Sequence, residues 1–529
     1  MAATGELAMD ISQILERAVQ FFPQQTACVS GATRLTYRDL QARVYHLANV
    51  LQHYNIGKGD RVAVLSANSL PYLEMYYATA ALGALIVPLN FRLAPAELAY
   101  ILQDSGSTML LVGEGFEALC GQATQRLSTV PTMIFAAVRD VPGDRLCYES
   151  CLAQASAEFT PVEVDEHDLA GLFYTSGTTG NPKGVMLSHR NLVSNAYHLL
   201  SAIHEEEGEI YLHCCPMFHL ADGPTSHRIT WLGGTHVIVP GFDPTAVLEA
   251  IQRERVTSVL LVPTMINFLV NSPAIGTYDL SSLRRILYGA SPMPVEILRQ
   301  AVQVFGCPLI QLYGLTETAP LLTMMAPRYL AFEGEEALVR RLASCGRAVP
   351  GVRVRVVNAA GNDVQPGEVG EIIARGPNIM QGYWNKPEET AAAFRDGWFH
   401  TGDLATVDDE QFIFMVDRKK DMIITGGENV YSTEVENALY QHPAVLEAAV
   451  LGVPDDRWGE AVLALVVLKP HNTVTEAALI EHCRSLIARY KCPRRIEMRH
   501  EPFPKSGSGK ILKAALREPY WQGHSRRVH

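Results

Sequence analysis

Short apolar runs alternate with amphipathic stretches through the first two thirds of the chain. Residues 9–22 place Ile11, Ile14, Leu15, Ala18 and Val19 at helical spacing. Residues 37–54 do the same with Leu40, Val44, Leu47, Ala48 and Leu51, behind Thr36. Spacings of three and four put these side chains on one face, so both stretches predict helices. Buried strands are predicted at 61–65, 85–88 and 109–112, with helices at 71–82 and 95–103 between them. After a polar loop near residue 180 the alternation resumes. Strands are predicted at 235–239, 258–262, 285–288 and 309–311, and helices at 244–254 and 294–305. Helices alternating with short apolar strands predict an α/β fold of mostly parallel βα subdomains.

From about Gly346 the texture changes. Apolar runs at 352–357, 370–374 and 412–416 are separated by Gly, Pro and Asn turns, the pattern of an antiparallel region. The charged break Asp417-Arg-Lys-Lys-Asp421 follows. Beyond it, strands at 448–453 and 463–468 and helices at 432–441 and 476–487 predict a small α+β domain.

The chain has 529 residues, 48% apolar and 19% charged, enough for several domains around a large core. Its net charge of −12 argues against a nucleic-acid surface, which needs a basic patch. The ten cysteines show no paired metal-knuckle spacing, and a core this large needs no staples, so reduced thiols and a cytoplasmic location are expected. No apolar run reaches the ~18 residues of a membrane span, which leaves only peripheral association with a membrane surface open.

The polar loop is Tyr174-Thr-Ser-Gly-Thr-Thr-Gly-Asn-Pro-Lys183, after the apolar run 169–173. It carries Gly177 and Gly180, the hydroxyls of Thr175, Ser176, Thr178 and Thr179, and the ammonium of Lys183. Glycines let backbone N–H groups approach a ligand, and the hydroxyls and lysine add donors and charge, so the loop can cradle phosphates. No Asp or Glu occurs from Leu169 to His204, so this segment sets no carboxylate against an anion. The loop is not the common G-x-x-x-x-G-K-[ST] pattern, because Asn181 and Pro182 part the glycine from Lys183. Residues 185–187 predict a strand, and Ser188 the N-cap of the next helix.

Tyr313-Gly-Leu-Thr-Glu-Thr318 follows the strand at 309–311, at the carboxyl end where open α/β sheets bind ligands. Glu317 is the only acid between Glu296 and Glu333, and a carboxylate in a Gly/Thr loop suits a hard cation such as Mg²⁺. The alternative is a carboxylate that merely caps the following turn.

These segments resemble the signature of the adenylate-forming superfamily, which includes acyl-CoA synthetases, luciferases and peptide-synthetase adenylation domains. Further blocks extend the resemblance over almost the whole chain: Tyr288-Gly-Ala-Ser291, Trp398-Phe-His-Thr-Gly-Asp403, Asp417–Asp421, Gly426-Gly-Glu-Asn-Val430, Arg489-Tyr-Lys-Cys-Pro493 and Pro504-Lys-Ser-Gly-Ser-Gly-Lys510. The resemblance implies a domain of residues 1–417, a hinge at 418–420 pivoting on Lys420, and a mobile domain of 421–529. It implies that Tyr313, Gly314, Gly289, Ala290 and Ser291 line the adenine side, and that Thr316 contacts phosphate. Asp403, helped by Arg418, would take the ribose hydroxyls. Lys510 would be the catalytic lysine, with Thr316 and Glu317 also in the reaction centre. Gly426 and Gly427 would line a passage for coenzyme A. His219, Tyr313 and Gly289 would meet the acyl group.

The implied activity is ATP- and Mg²⁺-dependent ligation of a carboxylic acid to coenzyme A through an acyl-adenylate. Bacterial medium- to long-chain fatty acyl-CoA synthetases are the nearest resemblance, so a fatty acid is expected. The alternatives are an aryl-CoA ligase of the 4-coumarate or benzoate type and an enzyme that loads a carrier protein. One departure stands out. Asp222, Ser226, His227 and Arg228 fall where the fatty-acid enzymes are mostly apolar or small, so a purely aliphatic tunnel is in question. They face either the pocket or solvent.

Overall fold

The structure, a computed structural model, describes residues 10–136, 146–175, 181–203, 205–291, 293–418, 421–425, 428–455, 457–506 and 510–522. The helix Ser12–Phe21 buries Ile14, Leu15 and Ala18. The helix Tyr37–His53 buries Leu40, Val44, Leu47, Ala48 and Leu51. Its start is set by a reciprocal cap, in which Thr36 accepts from the Asp39 N–H while the Asp39 carboxylate accepts from the Thr36 N–H.

Two sheets share the first part of the chain. Among the described residues, one has eight strands in the order Gly382–Tyr383, Lys183–Ser188, Leu169–Thr175, Leu85–Pro88, Arg61–Leu65, Met109–Val112, Thr132–Phe135 and Leu146–Cys147. The other has nine, and its central run Leu309–Tyr313, Arg285–Gly289, Ser258–Leu261, Ile210–His213, Thr235–Ile238 is parallel throughout. The nine-stranded sheet ends in Thr26–Ser30 and Thr33–Thr36, a hairpin that follows the first helix. Central strands such as Leu85–Pro88, Met109–Val112 and Ser258–Leu261 are buried along their whole length, as parallel strands covered on both faces must be.

Arg353–Val357, Gly370–Arg375, Trp398–Val407 and Phe394–Arg395 form an antiparallel sheet, to which Ile413–Arg418 adds. The last sheet joins Glu428–Val430, Ile423–Thr425, Gly459–Leu468 and Val445–Asp455, with Arg495–Arg499 parallel to Gly459–Leu468. It has its own core, which includes Ile423, Val435, Leu439, Val450, Val462 and Leu479. The fold is a large α/β part with parallel sheets followed by a smaller part with antiparallel strands. All ten cysteines are free thiols. Among the described residues no helix is long and apolar enough to cross a membrane.

Candidate active site

The loop at 174–183 joins two antiparallel strands, with Thr175 paired to Lys183 and Tyr174 to Gly184. The Tyr174 hydroxyl donates to Asp104 at 2.7 Å, and its ring lies against Gly184, where an added Cβ would come within 3.0 Å. These contacts fix the base of the hairpin. Ser188 accepts from the Asn191 N–H at the start of the next helix, the expected cap. Ser176, Gly177, Thr178, Thr179 and Gly180, the predicted phosphate cradle, lie outside the described residues.

The strand Leu309–Tyr313 delivers the next group. Tyr313 donates its hydroxyl to Asp403 at 2.9 Å, while burial and the carboxylate push the phenol well above its ordinary pKa. Asp403 is 4% exposed and is paired in register with Arg418, whose guanidinium is 3.4 Å from its other oxygen. The two residues are 15 positions apart in sequence, and antiparallel pairing makes them neighbours. Gly314 and Gly289 are required by close approach: an added Cβ would lie 1.7 Å from the Pro320 carbonyl oxygen and 2.3 Å from that of Leu312, respectively. Ala290 beside Gly289 has φ of +70°, a conformation that costs a residue with a Cβ about 1 kcal/mol or more and recurs at ligand-binding turns.

Thr316–Thr318 form a short 3-10 turn after the strand. Glu317 accepts from the Tyr383 hydroxyl at 2.9 Å, and desolvation raises its pKa. The Lys183 ammonium sits 5.1 Å from the centroid of the same tyrosine ring. Glu317 and the Thr316 hydroxyl offer only hard oxygen donors, the kind that Mg²⁺ takes alongside phosphate oxygens. Tyr383 carries no local signal in the sequence. Its segment, Gln-Gly-Tyr-Trp, has no unusual composition, and the partners that make it notable come from residues 183 and 317.

The last block, Pro504–Lys510, packs against the first part of the chain. Ser506 donates its N–H to the Lys510 carbonyl, and Lys510 returns its N–H to the Ser506 hydroxyl, so the ends of this loop are tied. Arg92 donates to the Ser506 carbonyl at 3.1 Å, and the Lys505 ammonium lies 5.0 Å from the Phe268 ring centroid. Burial, aided by the charge of Lys510, lowers the pKa of His219 to about 4, so the ring is neutral at pH 7. The structure thus joins Lys183, Glu317, Tyr313, Asp403 and Arg418 in one cluster, and separately sets the charge of Lys510 close enough to His219 to act on it. Lys420, Gly426 and Gly427 lie outside the described residues, between the strands Ile413–Arg418, Ile423–Thr425 and Glu428–Val430. Across this break Asp417 accepts from the N–H and hydroxyl of Ser432 at 2.6 and 2.8 Å.

The residues past His219 do not face solvent. Asp222 accepts from Tyr211 at 2.7 Å and lies 2.9 Å from His213 Nδ1. His213 passes the chain to His236, and His236 to Thr230, which also accepts from Tyr77. Arg228 pairs with Glu205 at 2.8 Å and lies over the Tyr211 ring. Ser226 donates to the Gly223 carbonyl. His227 packs against Tyr76 and Tyr77. All four are at most 1% exposed.

The family model described as AMP-binding enzyme matches residues 15–384, and that for the AMP-binding enzyme C-terminal domain matches 434–510. The chain belongs to the AMP-binding enzyme family. A feruloyl-CoA synthase of Amycolatopsis sp is 41% identical over 95% of this chain and 98% of its own. A long-chain-fatty-acid–CoA ligase of Mycobacterium tuberculosis is 37% identical over 97% and 98%. Among solved structures, the anthranilate CoA ligase AuaEII in complex with anthranoyl-AMP superposes with a TM-score of 0.90, at 26% identity, covering 98% of this chain and 99% of that one. This AMP-binding enzyme is an AMP-forming acid–thiol ligase, and ATP and coenzyme A are co-substrates of such ligases.

Proposed function

We propose that the chain joins an aromatic carboxylic acid of the cinnamate or benzoate type to coenzyme A. The observation that carries this reading is the buried polar and aromatic cluster beyond His219. Asp222, His227 and Arg228 are buried there and His227 packs against Tyr76 and Tyr77, surroundings that differ from the apolar lining a long aliphatic chain needs. The feruloyl-CoA synthase and anthranilate ligase relatives support it. The second reading is a fatty acid, favoured by the 37% identical long-chain ligase. Pyrophosphate release, measured with and without coenzyme A across cinnamates, benzoates and C6–C16 fatty acids, separates the two. Aromatic acids should give a kcat/KM at least about tenfold above every fatty acid, a difference of about 1.4 kcal/mol in the transition state. The reverse ranking overturns the reading.

The reaction has two halves. The acid carboxylate attacks the α-phosphate of ATP and pyrophosphate leaves. The thiol of coenzyme A then attacks the acyl carbonyl and AMP leaves. Thr175 to Gly180 and Lys183 would hold the phosphates. Gly289, Ala290, Ser291, Tyr313 and Gly314 would frame the adenine, and Asp403 with Arg418 the ribose. His219, neutral at pH 7, would border the acyl group with Gly289 and Tyr313. Lys510 would bridge the carboxylate and the α-phosphate, stabilising charge as it develops. Glu317 and Thr316 would hold Mg²⁺, which when bound offsets phosphate charge.

Both halves share one pocket, so Lys510 has to leave before the thiol enters. We place the hinge at 418–420, between domains of 1–417 and 421–529, with Lys420 as pivot and Gly426 and Gly427 along the path of coenzyme A. Lys420→Pro fixes φ near about −65° and should spare adenylate formation while cutting thioester formation by roughly a hundredfold or more. Equal rates in both halves would move the pivot elsewhere. The unbridged cysteines fit a reducing compartment, and we place the protein in the cytoplasm.

A further inference from the structure

Tyr383 touches two opposite charges of the site, and nothing in the reaction scheme uses it. It belongs to a strand of two residues, Gly382–Tyr383, that closes the edge of the eight-stranded sheet against Lys183–Ser188. The segment around it is a strap. The Met380 N–H donates to the Glu317 carbonyl at 2.9 Å, Gln381 N–H to Met186 at 3.0 Å, and Trp384 N–H to Gly184 at 2.8 Å. The Tyr383 N–H is itself held by Thr390 at 2.9 Å, and Trp384 Nε1 by the Asp104 carbonyl at 3.0 Å. The backbone of residue 383 is therefore fixed to both the phosphate hairpin and the Glu317 turn.

The side chain then meets both charges. Its hydroxyl donates to Glu317 Oε1 at 2.9 Å, and Lys183 Nζ lies 5.1 Å from its ring centroid. A phenol donating to a carboxylate makes a charge-assisted hydrogen bond that orients the acceptor. A π face near an ammonium attracts it without neutralising it. A lysine and a glutamate free to approach each other would form an ion pair, and both would then be spent before a phosphate or a cation arrived.

We propose that Tyr383 is a positioning residue for adenylation. It orients Glu317 toward the cation and holds Lys183 toward the phosphates, while keeping the two from pairing. This inference rests on the reading of Glu317 as the metal-binding carboxylate and Lys183 as a phosphate-binding cation.

Two substitutions divide the roles. Tyr383→Phe keeps the ring and removes the hydroxyl, and Tyr383→Leu removes both contacts. Mn²⁺ binding to the full-length enzyme with α,β-methylene-ATP, read by electron paramagnetic resonance, reports on Glu317 without turnover. Nucleotide affinity without metal, read by calorimetry, reports on Lys183. Tyr383→Phe should weaken Mn²⁺ binding roughly tenfold, as losing the partner of a metal ligand does, and leave metal-free nucleotide affinity within about twofold. Tyr383→Leu should show the same Mn²⁺ loss and also weaken metal-free nucleotide binding by roughly fivefold, the worth of about 1 kcal/mol of cation–π contact. Tyr383→Phe keeps the volume and should melt within about 2 °C of the parent, so its binding data stand without a folding correction. Wild-type Mn²⁺ affinity in Tyr383→Phe overturns the proposal. Glu317→Gln is the control. If it too leaves Mn²⁺ affinity unchanged, the metal-binding reading of Glu317 fails and the inference falls with it. If it weakens Mn²⁺ binding while Tyr383→Phe does not, the inference alone fails.

Discussion

The side chains around Tyr313 and those beyond His219 are equally rich in polar and ionisable groups, but their partners are arranged differently. Around Tyr313, Asp403 and Glu317 each take a phenol hydroxyl, and Arg418 and Lys183 lie beside them. Lys183, Tyr313 and Arg418 sit at strand ends and Glu317 in the turn after one, and all four keep part of their surface open. Beyond His219, Asp222, His213, His236, Thr230 and Tyr77 form one closed chain, and Arg228 and Glu205 pair at 0% side-chain exposure. Residue type and proximity are the same in both places. Access distinguishes a reaction centre from a polar core, and access depends on which strand ends the cluster occupies.

Four measurements sharpen this comparison. The largest effect is expected from Lys510→Ala, on the open side. Adenylate formation should fall by about a thousandfold or more, as when a group aimed at developing charge is removed. Thioester formation from supplied acyl-adenylate should continue, and equal loss of both half-reactions would refute the assignment. Arg228→Met, on the closed side, should cost about 3–5 kcal/mol of stability by leaving Glu205 buried without its nearest cation. The readout is denaturant unfolding, with kcat per folded molecule unchanged; a selective fall in kcat would make Arg228 part of the site. Glu317→Gln keeps shape and removes charge. It should lower kcat/KM by about a hundredfold, with the melting temperature held. A variant as fast as its parent at every Mg²⁺ concentration would make Glu317 structural.

The smallest effect is a pH dependence. Burial lowers the pKa of His198 to about 4 and of His227 to about 3, from an ordinary 6.5. The unfolded chain binds more protons than the folded one below that value. The stability gained from keeping these rings neutral is full above about pH 6.5 and declines toward pH 4, at about 1.4 kcal/mol per histidine per pH unit. His227→Phe should flatten the acid limb by one histidine's share in melts between pH 7 and 4.5. Neither ring nitrogen of His227 meets a protein partner among the described residues, so the change removes no hydrogen bond seen there. An unaltered limb would mean that His227 does not stay neutral in the folded protein.

Much of the fold was readable from spacing. The strands Arg61–Leu65, Leu85–Pro88 and Met109–Val112 and the helix Pro244–Glu254 fall where the apolar pattern put them, because fully buried strands and amphipathic helices write their environment into their own sequence. The hairpin Thr26–Ser30 and Thr33–Thr36 was missed, since its second strand is largely exposed and carries Arg and two Thr. Lys183 and Glu317 stand out in the sequence as charged residues in Gly/Thr loops after predicted strands, whereas Asp403 and Lys510 are singled out only by the resemblance of their blocks. Tyr383 and the burial of Asp222, His227 and Arg228 were not legible. A tyrosine's hydrogen-bond partner 66 positions away, or a salt bridge that closes on Glu205, exists only after the sheets have formed.

The strap at 380–384 also sets an order of events during synthesis. The strand Lys183–Ser188 gains its outer neighbour from Gly382–Tyr383, about 200 residues further along the chain. A ribosome adding about 5–20 residues per second leaves that edge bare for roughly 10–40 s. For that interval an unpaired row of N–H and C=O groups faces the cell, with apolar Val185 and Leu187 in the same strand. Lys183 gives this edge a charge at its first position, the kind of residue that discourages pairing with a neighbouring chain. The lysine we assign to phosphate in the finished enzyme is thus also the charge that the bare edge carries while the chain is made.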